Sequence, residues 1–134
     1  MFGKSNRTMK YFVFIFFVIL VSCYKKQDPI DKNLIFFKSH FLAELGNEEY
    51  DKFLSKTKSK IKAKYLEDVI FVTNYVESNA CGNYIGNIRI KNDSILLVYK
   101  LVSDEVCAST SVEKLTYIIN NPKEKKYTFS MSFE

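Results

Sequence analysis

Breakers are scarce in this chain of 134 residues, which has four glycines and two prolines, and it holds one histidine and three cysteines. So few breakers beside an aromatic content of 16% argue against disorder, and no internal repeat is visible. Gly82 and Gly86 stand apart in Cys81-Gly82-Asn83-Tyr84-Ile85-Gly86, so no phosphate-cradling loop is present. The lone His40, with Ser103 or Ser109 and Asp104, supplies the residue types of a catalytic triad, but no nucleophile-elbow motif accompanies them. The carboxylates Glu67-Asp68 and Asp104-Glu105 are sequence neighbours, and in a strand the first pair would point to opposite faces. The sequence therefore indicates neither an enzyme nor a cofactor, and no metal-ligand set is present.

What is abundant is concentrated at the start. Lys4, Arg7 and Lys10 precede an apolar run from Tyr11 to Val21 with no acid among them. That run is half the length of roughly 20 residues needed to span a membrane, and suits the core of an export signal. Its end, Leu20-Val21-Ser22-Cys23, resembles the lipobox of bacterial lipoproteins. The resemblance covers the first 23 residues and implies cleavage before Cys23, with palmitate-type acyl chains on that cysteine. Two or three such chains hold a protein stably to a bilayer. Tyr24 in place of Asp after the cysteine implies sorting to the outer membrane of the cell envelope, periplasmic or surface-facing.

Residues 1–22 thus read as a signal peptide, 23–28 as a tether and 29–134 as one domain. Without the signal the charge falls from +5 to +2, because three of the 20 basic residues leave with it. The basic character is mostly a targeting feature, and a nucleic-acid partner is not implied.

The domain reads as α+β. Asp28-Pro29 resembles a helix start, and Ile30, Leu34, Phe37, Phe41 and Leu45 recur at steps of three and four, predicting a helix over 29–45 that stops at Gly46. Asn47 offers the cap of a second helix with acids in its first turn and Lys52, Lys56, Lys58, Lys60, Lys62 and Lys64 later. This lysine run reads either as a solvated helix surface or as a basic face for anionic headgroups; Lys58, Lys60 and Lys62 do not share one helical face. Strands are then expected at 66–76, 84–91, 94–101, 114–120 and 126–133. An Asn92-Asp93 turn would pair Ile90 with Ile95, Ile88 with Leu97, Gly86 with Tyr99 and Tyr84 with Leu101. The predicted architecture is two N-terminal helices packed on one face of an antiparallel meander of about five strands.

Cys81 and Cys107 flank that hairpin and, in an exported chain, read as a disulfide; a metal pair or a reactive thiol are the alternatives. The polar segment after the hairpin, with Ser103, Asp104, Glu105, Ser109 and Thr110, reads as a rigidly held binding loop or a plain connector. The expected function is a membrane-anchored envelope lipoprotein that caps, inhibits or scaffolds another envelope protein. The alternative is a binder of a small apolar ligand between helices and sheet. Cys23→Ala is expected to abolish acyl labelling and to release or stall the protein, as followed by lipid labelling and fractionation.

Overall fold

The computed structural model describes residues 28–134. The expected signal peptide, the expected lipidation site Cys23 and the expected tether as far as residue 27 lie outside the described residues.

The hairpin is the local anchor. Strands β4 (Tyr84–Lys91) and β5 (Ser94–Leu101) pair in the predicted register, from Tyr84 with Leu101 to Lys91 with Ser94. Asn92 supplies the left-handed turn conformation at φ 53°. Alternation then sends Ile88, Ile95 and Leu97 inward, where they are buried.

The expected first helix is a strand, β1 (Leu34–Glu44). Its misleading period has a physical cause. Two register shifts, between Leu34 and Phe36 and between Phe41 and Ala43, insert extra residues in the strand. The first bulge puts Leu34 and Phe37 on the inner face three positions apart, and two ordinary strand steps bring Phe41 to that face four positions on. Bulge plus alternation thus imitates helical spacing. The second helix exists but is short, α1 (Tyr50–Thr57), and is followed by β2 (Lys62–Leu66). Gly46, at φ 93°, makes the turn between β1 and α1, and Asn47 Oδ1 accepts the Glu49 N–H there at 3.0 Å. After Ile61 the chain alternates, with Ile61 and Tyr65 against the core and Lys62 and Lys64 exposed.

The single meander is also overturned. β1, β2, β3 (Val69–Asn79) and β6 (Thr110–Asn120) form a four-stranded antiparallel sheet in the order β1-β6-β3-β2. β4, β5 and β7 (Thr128–Phe133) form a second sheet, and β7 runs parallel to β5. The turn after β6, where Asn121 Nδ2 donates to the Lys125 carbonyl at 3.0 Å, carries the chain from one sheet to the other. β7 therefore arrives as a crossover and not as a hairpin return.

The sheets pack face to face. Ile70, Val72, Val76, Leu115, Tyr117 and Ile119 of the larger meet Ile88, Ile95 and Leu97 of the smaller. Fully burying each such aliphatic side chain contributes about 1.5–3 kcal/mol. On the other face of the larger sheet, α1 covers one end, with Tyr50, Ala43 and Val112 buried beneath Phe53 and Leu54. At the sandwich edge a Cβ on Gly86 would run into the Phe37 ring, so glycine is what lets β1 approach β4.

Tyr117 reaches across the interior and donates to the Val98 carbonyl at 2.9 Å. Burial first, and then the neighbouring Tyr99, push its phenol well above the usual tyrosine range. A phenol harder to ionise in the folded than in the unfolded chain destabilises the fold as pH rises past about 10, where the unfolded chain begins to release that proton. Tyr117→Phe should lower stability at neutral pH by about 1 kcal/mol for the lost hydrogen bond. It should also make the alkaline decline shallower, as read by urea denaturation across pH with tyrosinate absorbance.

Candidate functional site: a disulfide-braced pair of loops

Two connections meet at one end of the sandwich. One is the β3–β4 loop, residues 80–83, and the other is the β5–β6 loop, residues 102–109. A disulfide joins Cys81 to Cys107, with Cα atoms 5.6 Å apart. Closing 26 residues of chain in this way contributes about 3 to 4 kcal/mol in the chain-entropy account.

Asn79, the last residue of β3, holds the bridge in place. Its Oδ1 accepts the N–H groups of Cys81 and Cys107, each at 3.1 Å, and its Nδ2 donates to the Cys107 carbonyl at 2.6 Å. The Tyr84 hydroxyl accepts the Asn79 N–H at 2.8 Å and donates to the Asn79 carbonyl at 3.2 Å. One amide side chain and one phenol thereby supply the hydrogen bonds that two irregular backbones would otherwise lack.

The residues expected to bind divide into two groups. Ser103, Ser109 and Thr110 belong to the frame. The Ser103 hydroxyl accepts the Asn83 N–H at 3.1 Å, and the Ser109 carbonyl accepts the Ala80 N–H at 3.1 Å. Thr110 shares a 3.1 Å hydrogen bond with the Tyr50 hydroxyl, which also donates to Glu77 at 2.7 Å. Asp104 and Glu105 are exposed at the tip, followed by Val106 at 60% exposure. A polar frame thus presents two carboxylates and the apolar Val106 to solvent, with Val102, 45% exposed, at the start of the loop. Sequence reasoning missed Asn79, Tyr84 and Val106. An asparagine two positions before a cysteine at a strand end was the available signal, since its side chain closes turns of this kind.

Other expected groups are apart. His40 lies exposed on β1 opposite Lys114, four ladder positions from Thr110, or roughly 13 Å along the strand, so it does not meet Ser109 or Asp104. Glu67 and Asp68 sit in the β2–β3 turn and not within a strand. Among the described residues, no three His, Cys, Asp or Glu side chains are grouped to hold a metal ion. The buried Glu113 accepts from Ser39 at 2.6 Å and from Ser111 at 3.4 Å, which closes the interior there with satisfied polar groups. The two-helix layer that was to wall an apolar pocket is not formed among the described residues. The layer behind the larger sheet's inner face is the second sheet, with Tyr117 and its neighbours filling the space.

Compared with known proteins, the chain matches no family model, no curated protein and no solved structure.

Asn79→Ala removes three side-chain hydrogen bonds and is expected to destabilise the domain by about 1–3 kcal/mol. Its signature is local: amide exchange or proteolysis at residues 102–109 should quicken more than at β6, and reduction of the disulfide should do the same.

Proposed function

We propose that this chain is a lipid-anchored envelope protein, held by acylated Cys23 at the outer membrane, whose domain is an interaction module for another envelope protein. The observation that carries the reading is the braced loop pair. The disulfide fits an exported, oxidising location. The frame built by Asn79, Tyr84 and Ser103 fixes Asp104, Glu105 and Val106 before any partner arrives. A preorganised loop loses little conformational entropy on binding, which is the physical advantage of spending a disulfide and an asparagine on a connector. A small exposed apolar side chain between a rigid frame and two carboxylates suits a partner with a shallow apolar spot rimmed by basic groups.

No catalytic role is part of this proposal, nor a nucleic-acid partner. The chemistry on offer at the loop is recognition, through charge at Asp104 and Glu105 and contact at Val106.

A photo-crosslinking residue at Glu105 in the processed protein should give one defined adduct in intact envelopes. The same probe at Lys123, in the turn after β6, should not give it. Cys81→Ser with Cys107→Ser should reduce the Glu105 adduct severalfold while the protein remains folded. Adducts that are absent, or the same from both positions, would remove the loop as the contact.

A further inference from the structure

Among the described residues the two sheets have four edge strands, β1, β2, β4 and β7. A strand edge is a row of unpaired N–H and C=O groups that invites another strand, and folded chains guard such rows. Three of the four are guarded here. β1 is kinked by its two bulges. β2 is five residues long and carries the exposed Lys62 and Lys64. β4 has the incoming chain beside it, and Asn87 Oδ1 accepts both the Asp31 N–H at 2.8 Å and the Ile88 N–H at 2.9 Å.

β7 has none of these devices. Its six residues, Thr128–Phe133, include no charge, proline or glycine, and its ladder with β5 runs without a register shift. The Thr128 N–H donates to the Asp93 carbonyl at 2.8 Å and the Glu134 N–H to the Tyr99 carbonyl at 3.0 Å, so the even-numbered residues turn their backbone groups to β5. The odd-numbered residues between them then face the other way. The N–H and C=O groups of Phe129, Met131 and Phe133 therefore line the open edge. Their side chains share the inner face. Phe129 and Met131 pack against the core, and the Phe133 ring lies 5.1 Å from that of Tyr99 while the residue stays 56% exposed.

The order of residues along this edge points to its occupant. Phe129-Ser130-Met131-Ser132-Phe133 reads the same in both directions. An antiparallel pairing about a two-fold axis at Met131 sets Phe129 opposite the partner's Phe133, Ser130 opposite the partner's Ser132 and Met131 opposite the partner's Met131. The odd-numbered pairs are those whose outward backbone groups exchange hydrogen bonds, about six in all. We infer that β7 is a pairing edge for a second copy of this chain, which joins two three-stranded sheets across a two-fold axis. The exposed Phe133 ring is then covered by the partner's Phe129 on the inner face, and on the outer face hydroxyls meet hydroxyls with no charge opposed to charge. A contact of one short strand lies at the small end of interface sizes, so the dimer is weak and forms as concentration rises.

The register supplies a test that a loose collision does not pass. Ser130 and Ser132 alternate with the core-facing residues and so lie on the outer face, where a cysteine leaves the packing alone. Opposed across the pairing, their Cα atoms come to about 4.5 Å, within reach of a disulfide. Two differently tagged copies of the full chain, one Ser130→Cys and the other Ser132→Cys, are produced together and treated with a mild oxidant in intact cells. On a non-reducing gel the mixed pair should give at least about fivefold more linked dimer than either variant alone, whose cysteines sit on the diagonal about 7–8 Å apart. The chain with no added cysteine sets the background, including any linkage through Cys23. On the guarded β2 edge, Lys62→Cys with Lys64→Cys should give only that background. Phe133→Lys in the Ser130→Cys and Ser132→Cys copies puts a charge on the edge and should cut the yield about fivefold. Should Phe133→Lys fail to fold, Met131→Pro removes an outward N–H that serves no ladder bond and should have the same effect. Linkage that is absent, that is equal for mixed and single variants, or that is equal at the β7 and β2 edges overturns the proposal. Linked products that join one copy to a different protein, with none joining two copies, overturn it as well and give the edge to that protein.

Discussion

The hydrogen bond from Tyr117 to the Val98 carbonyl sets the distance at which the two sheets meet. A hydroxyl in a dry interior must find a partner, and the partner found here belongs to the facing sheet. The ring that carries it leans on Phe37, with centroids 4.9 Å apart. Phe37 in turn occupies the space that any side chain on Gly86 would need. One residue of β6 thereby fixes the position of β5 directly and of β1 and β4 through its neighbours. The two layers cannot slide without breaking a buried polar contact, so the loops at the far end of β6 inherit a rigid base.

That constraint was not readable in the sequence, whereas the hairpin was. Register between β4 and β5 depends on local alternation and on a two-residue turn, and both are written in adjacent positions. The Cys81 and Cys107 pair was readable for a related reason, since the hairpin register alone brings the two cysteines to one end. β1 was not legible because its bulges at Ile35 and Leu42 turn a period of two into steps of three and four. Strand order failed for a different reason. Nothing near β6 says that it lies between β1 and β3, because that placement is decided by which long-range face buries Leu115, Tyr117 and Ile119. Of the loop, the exposed tip at Asp104 and Glu105 was legible, but its frame was not. Asn79 acts through three hydrogen bonds whose partners lie two and 28 residues away.

The lysines show how the same letters change meaning with the backbone under them. On a helix, a spacing of two scatters Lys58, Lys60 and Lys62 around the axis, and the solvated-surface reading follows. On a strand, a spacing of two is what aligns side chains on one face. Lys62 and Lys64 stand on β2, beside Phe71 and Thr73, while Ile61 and Tyr65 turn to the core. Where Lys56 remains on α1, its ammonium lies over Phe53 at 4.8 Å and so belongs to the packing of the helix. The correction of the fold therefore divides the lysine run into a helical part tied to its own aromatics and a strand part free to face outward.

The molecule has two unlike ends. The β6 end at Thr110 is closed by covalent and hydrogen-bonded bracing and presents carboxylates. At the Asn120 end the Asn33 carbonyl accepts the Asn120 N–H, and the exposed Leu66 lies beside Glu67 and Asp68 of the β2–β3 turn. Exposed carboxylates stand at both ends, Glu67 and Asp68 at one and Asp104 and Glu105 at the other, so what distinguishes the Thr110 end is its bracing and not its charge. Residues 28–31 reach β1 from the outer face of the second sheet, where Asp28 meets Arg89 at 3.5 Å and Asn87 Nδ2 donates to the Pro29 carbonyl at 3.1 Å. The loop ends at Tyr84, five residues along β4 from Arg89, so an anchor leaving from Asp28 and a partner at the loop would not compete for surface.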